Sequence, residues 1–165
     1  MKTRTTDSEP ASLHLTRSLA ARTRLAVIRA NYNGEITRSL EKKCVESLIA
    51  AGIAAKNVCV FAVPGCFEIP ILARKLAAQK RYDAMIALGA VIRGETYHFE
   101  LVVNGCAQGI MEVSLRYDVP IIFEVLATYN RRDALRRAGN NDFNKGIEAA
   151  RAALSLLATL SKIKK

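Results

Sequence analysis

Apolar and polar positions fall into blocks along this chain, first at the spacing of a buried strand and then at that of a helix. Leu25-Ala26-Val27-Ile28 is a short apolar run, Asn31-Tyr32-Asn33-Gly34 reads as a turn, and residues 36–53 carry apolar side chains at helical spacing through Ile36, Leu40, Val45, Leu48 and Ile49. The order then repeats. Residues 58–63 predict a strand, Pro64-Gly65 a turn, and residues 69–79 a helix with Leu72 and Leu76 inward. A third unit has a strand at 84–91, a loop at 92–96 and a helix reaching Arg116. Asp118-Val119-Pro120 opens a fourth strand at 121–126, and two C-terminal helices follow, split near Gly139-Asn140-Asn141.

Four apolar strands, each followed by a helix, imply a parallel sheet covered on both faces. Right-handed crossovers make this a three-layer α/β/α sandwich, flavodoxin-like, around a four-stranded parallel sheet. Residues 25–165 form one domain in this reading, and 1–24 a flexible N-terminal extension. In open α/β sheets ligands bind beyond the carboxyl ends of the strands, which places Tyr32, the turn 64–68, residues 92–98 and Tyr129 along one edge.

A length of 165 residues admits one good core and not two domains, and a chain 50% hydrophobic and 24% charged has globular composition. The longest apolar run, at 84–92, is far shorter than the roughly 18 to 20 residues of a membrane-spanning helix. Residues 1–24 are basic but lack the continuous apolar stretch of a secretory signal. Cys44, Cys59, Cys66 and Cys106 match neither a redox pair nor a zinc knuckle, and with His14 and His98 as the only histidines no metal centre is expected. Free thiols at apolar positions suit a reducing compartment, so the expected location is the cytoplasm. The net charge of +10 suits an anionic ligand. It would also suit nucleic acid, but 6% aromatic content and the lack of a recognition motif leave that reading resting on charge alone.

Chemistry concentrates at the predicted edge. Gly94-Glu95-Thr96 lies where a strand turns into a helix, so backbone amides and the helix dipole could hold a phosphate there; the alternative is a turn glycine followed by a threonine N-cap. His98 stands at the mouth of the same helix and, with an ordinary pKa near 6.5, is suited to proton transfer. Glu68 is an acid among apolar neighbours that must find donors, whether ligand hydroxyls or backbone amides. Arg136, Arg137 and Lys145 flank the break between the last two helices and offer cations for a phosphate, although such charges also solvate helix faces. Tyr32 and Phe123, placed by strand ends, could sandwich a flat heterocycle or belong to the core.

The blocks Val63-Pro64-Gly65-Cys66-Phe67-Glu68-Ile69-Pro70, Ala87 through Phe99 and Arg137-Ala138-Gly139 with Asn144-Lys145-Gly146 resemble the signature blocks of the lumazine synthase family, and the likeness runs from Leu25 to Leu157. The resemblance implies the condensation, in riboflavin biosynthesis, of 5-amino-6-(D-ribitylamino)uracil with 3,4-dihydroxy-2-butanone 4-phosphate. The products would be 6,7-dimethyl-8-ribityllumazine, phosphate and water, with no cofactor and no metal. It further implies that Tyr32 stacks on the pyrimidine, that Phe67 and Glu68 hold the ribityl chain with Cys66 beside them among the substrate-binding residues, and that Val91 and Ile92 present backbone to the ring. Gly94, Glu95 and Thr96 would cradle the phosphate and His98 would move protons. Phe123, Arg137 and Lys145 would come from the adjacent subunit of a homo-oligomer, a pentamer or an assembly of pentamers, and riboflavin synthase would be an associated partner.

Four positions depart from the family's commonest pattern: Tyr32 stands where phenylalanine or tryptophan is usual, Asn31 where arginine is frequent, Cys66 where alanine or serine is usual, and Phe143 where glycine commonly precedes Asn-Lys-Gly. Two other readings compete. One is a non-catalytic flavodoxin-like module that binds a flavin or lumazine, and the other a basic shell protein that binds nucleic acid.

Overall fold

The computed structural model describes residues 15–163. Four strands, β1 (Leu25–Ala30), β2 (Val58–Val63), β3 (Ala84–Ile92) and β4 (Ile121–Thr128), form one parallel sheet in the order β2-β1-β3-β4. Buried on both faces, the central pair read in sequence as continuous apolar runs. Side-chain alternation sorts the sheet into two cores. Leu25, Val27, Ile86, Leu88 and Leu126 face α2 (Gly34–Ala50) and α6 (Lys145–Leu160), whereas Ala26, Ile28, Met85, Ala87 and Val125 face α3 (Ile69–Ala78) and α4 (His98–Tyr117). The short α5 (Arg131–Arg137) joins the first group through Ala134.

Two differences from the sequence expectation concern α2. It stops at Ala50 rather than Ile53 because Gly52, at φ 97°, turns the chain out of the helix and lets Ile53 N–H bond to Leu48 O at 3.1 Å. Ile49, expected inward, is exposed, and Cys44 is buried in its stead. A third difference lies at the N-terminus. Within the expected extension 1–24, residues 17–22 form α1 (Arg17–Arg22), capped by Thr16, and Leu15 and Ala20 are buried in the α2/α6 core. Residues 1–14 lie outside the described part of the chain.

Glycines set how closely the layers approach. A Cβ at Gly109 would lie 2.8 Å from the Pro70 ring, and one at Gly146 would collide with the carbonyl of Leu40, so α4 and α6 dock at distances only glycine permits.

Candidate active site

Three strand ends meet where the order of the sheet reverses, between β1 and β3, the crevice in which open α/β sheets bind ligands. After β1, Asn31 N–H donates to Val63 O (2.8 Å) and Tyr32 N–H to Pro64 O (3.1 Å). Asn33, in the left-handed region at φ 55°, donates through Nδ2 to Ala90 O (2.9 Å). The loop is thus tied to both neighbouring strand ends, and the Tyr32 ring between those ties is 73% exposed.

After β2 the chain makes a single 3₁₀ turn, Cys66–Glu68, and enters α3. Glu68 Oε2 accepts the Gly65 N–H at 2.8 Å, so one carboxylate oxygen shapes the turn. Cys66 is buried against Gly89, where any Cβ would collide with its Sγ, and a Cβ at Gly105 would lie 2.6 Å from the Phe67 ring. Burial pushes the Cys66 thiol up to about 11, and the Cys106 thiol in the same core up to about 12, so neither is a thiolate at neutral pH.

After β3, Arg93 N–H donates to Thr128 O at 2.9 Å, which continues the ladder one step past the strand. Gly94, Glu95 and Thr96 are exposed in the loop that follows, and α4 begins only at His98, so these three precede the helix rather than open it. Thr96 is not its N-cap. That position is Tyr97, and no side chain among the described residues caps the first turn, leaving its amides open to an anion.

These ends enclose a cleft of about 800 Å³. Of the residues singled out in the sequence, Tyr32, Cys66, Phe67, Glu68, Val91, Ile92, Gly94, Thr96 and His98 line it; Glu95, Phe123, Arg137 and Lys145 do not. Phe123, expected by a strand end, is the third residue of the edge strand β4 and pairs with Ala87 of β3. Tyr129 is also away from the cleft and carries the Arg93 guanidinium 5.6 Å from its ring centroid. Leu101 and Val102 line the cleft and were missed. They lie three and four residues beyond His98, the spacing that shares one helix face, which is the signal that would have found them.

The remaining cations form a second group around the α5–α6 link. Arg137 Nη1 donates to Asp133 O at 3.2 Å, and the Lys145 ammonium pairs with Glu148. Beneath Lys145, burial raises the Glu124 carboxyl to about 7, with Lys145 opposing the shift and Glu148 adding to it.

Residues 22–161 match the family model described as 6,7-dimethyl-8-ribityllumazine synthase. The chain belongs to this family. A relative named 6,7-dimethyl-8-ribityllumazine synthase, from Ruthia magnifica subsp. Calyptogena magnifica, is 42% identical over 148 residues, covering 87% of this chain and 89% of the relative. Every residue of the cleft and of the α5–α6 link falls inside the span matched to the lumazine synthase family. The cleft of this lumazine synthase family member is lined by one histidine, one acid and no lysine or arginine among the described residues.

Proposed function

We propose that the cleft between the carboxyl ends of β1, β2 and β3 is the site at which this family member carries out its reaction. The chain is a 6,7-dimethyl-8-ribityllumazine synthase of riboflavin biosynthesis, acting on 5-amino-6-(D-ribitylamino)uracil and 3,4-dihydroxy-2-butanone 4-phosphate. Tyr32 stacks on the pyrimidine, and Val91 and Ile92 offer backbone groups to its polar edge. Cys66, Phe67 and Glu68 receive the ribityl chain. Glu68 meets its hydroxyls with the carboxylate oxygen that Gly65 leaves free. The phosphate rests on Gly94, Glu95, Thr96 and the uncapped amides that open α4.

In this reading the ring amine attacks the ketone and forms an imine with loss of water. Elimination then expels phosphate and leaves an enol, which takes up a proton to become a ketone. The second amine attacks that ketone and loses a second water, which closes the ring. Each step moves a proton, the role given to His98, and the departing phosphate needs a positive partner. The observation that carries the shared site is that the cleft holds no lysine or arginine of its own chain among the described residues, although one substrate is a phosphate ester. Arg137, Lys145 and Phe123 are therefore supplied by a neighbouring subunit, with Arg137 on the phosphate and Lys145 toward the ribityl and ring end. A cyclic pentamer, alone or in larger assemblies, is the arrangement proposed. The exposed apolar residues Leu101, Met111 and Leu115 on α4 support burial against a second copy. Association with riboflavin synthase rests on the resemblance alone. A cytoplasmic location is supported by four free cysteines, and no described helix is long and apolar enough to cross a membrane.

The test is a steady-state assay of lumazine formation from the two substrates. His98→Ala is expected to lose roughly 10- to 100-fold in kcat with little change in either KM. Wild-type turnover in that variant would remove His98 from the chemistry. Arg137→Ala is expected to raise KM for the butanone phosphate and not for the pyrimidine, because only the former carries the anion.

A further inference from the structure

Arg137 and Lys145 stand at the two ends of one short link, and the link is fastened to α2 at both shoulders. Ser39 Oγ on α2 donates to Ala138 O at 2.5 Å. Asn144, fully buried, donates through Nδ2 to Gly139 O at 2.9 Å and to Ser39 Oγ at 3.3 Å, while its Oδ1 accepts the Gly146 N–H at 2.8 Å. Two consecutive carbonyls just past Arg137 are thereby tied to Ser39 and Asn144: Ala138 O, at a helix C-terminus that would otherwise leave it open, and Gly139 O, which also accepts the Asn141 N–H at 2.9 Å. On the far side of Lys145, Gly146 lies against the Leu40 carbonyl with no room for a Cβ. The backbone of each cation is therefore followed or flanked by residues whose positions α2 dictates.

A buried amide adds little net stability even when all its bonds are made, and an apolar side chain could seal the contact between α2 and α6 as well. What the amide supplies is direction. We propose that Asn144, together with Ser39, is a positioning residue that fixes the spacing and aim with which Arg137 and Lys145 reach a neighbouring subunit's cleft. The inference rests on the assignment of Arg137 to the phosphate made above. Neither Asn144 nor Ser39 touches substrate. Displacing an anchored cation by about an ångström is enough to weaken a bidentate phosphate contact severely, so the loss falls on the substrate that carries the anion.

Asn144→Ser keeps a short oxygen for the Gly146 N–H, so α6 stays capped, but it cannot span to Gly139 O. Ser39→Ala removes the bond to Ala138 O and the one from Asn144 Nδ2 to Ser39, and leaves the bonds of Asn144 to Gly139 O and Gly146 N–H in place. Both are assayed with each substrate varied, beside Arg137→Ala, and their melting temperatures are measured. The expected result is a KM for the butanone phosphate raised about 5- to 20-fold in Asn144→Ser and about 2- to 5-fold in Ser39→Ala, with the pyrimidine KM unchanged within about twofold. A lowered melting temperature with both KM values intact would mean a purely structural clamp and overturn the proposal, as would an equal rise in both. If Arg137→Ala raises the phosphate KM while neither clamp variant does, positioning alone is rejected. If Arg137→Ala leaves that KM unchanged, the phosphate assignment fails and the proposal fails with it.

Discussion

Glu124 occupies an unusual place for an acid, on a strand two residues from Ile122 and from Leu126, both of which pack in the α2/α6 core. Alternation puts its side chain on that same face, and burial raises its carboxyl from 4.5 to about 7. The sign of the consequence follows from proton binding. The folded chain holds this proton more tightly than the unfolded chain, so the contribution is fully present below 4.5 and is lost as pH rises through about 7. Glu124→Gln copies the neutral acid at every pH. Its melting temperature relative to wild type is therefore expected to climb between pH 5 and pH 8 and then level off. A difference between the two proteins that stays constant with pH would show that Glu124 is ionised throughout. Glu68 presents the other case at this scale, an acid among apolar neighbours whose need for donors was readable in the sequence. That one of its oxygens would be taken by Gly65 N–H was not readable, since the bond depends on a 3₁₀ turn that three residues cannot announce.

Between elements, the contact of Cys66 with Gly89 decides how deeply the turn after β2 sinks onto β3. Gly89→Ala is expected to destabilise the chain by about 1–3 kcal/mol, because the new methyl collides with Sγ and also lies 3.2 Å from Val125 Cγ1. Adding Cys66→Ala should recover most of that loss in chemical denaturation. No recovery in the double variant would place the strain at Val125 instead. The strands were legible as short apolar runs bounded by turn residues and separated by stretches long enough to show the helical period, and the position of the cleft followed from strand order by a general rule of open sheets. Close-approach glycines such as Gly89 and Gly146 were not legible, since a glycine shows in sequence and its neighbour across the fold does not. Nor was α1, where Leu15, Leu19 and Ala20 pack on the core from a short basic stretch with no sustained helical period. Phe123, Arg137 and Lys145 stood out in the sequence as an aromatic and two cations, but their assignment to an adjacent subunit entered through the family resemblance. Within a single chain their spacing says only that two helices break between them.

At the scale of the whole molecule, a site divided between chains makes a prediction that no single variant can make. His98→Ala and Arg137→Ala, each impaired alone, are mixed within oligomers. If the two residues serve one site from different chains of a ring, about a quarter of the interfaces have both halves intact at equal mixing, and activity rises above either parent. If they serve a site from one chain, every site keeps a lesion and mixing rescues nothing, even where light scattering confirms mixed rings. The docked N-terminal helix has a separate consequence, for attack by proteases. Thr23 is buried and donates through Oγ1 to Leu19 O at 2.8 Å, while the Arg24 N–H is bound to Asp83 at 2.7 Å and Leu25 is fully enclosed. The peptide bonds after Arg22 and Arg24 are thus basic sites that a trypsin-like enzyme reaches only when α1 lifts off and opens the floor of the core. Brief digestion of the native protein should leave both bonds intact by mass spectrometry, and their resistance times the opening of that floor.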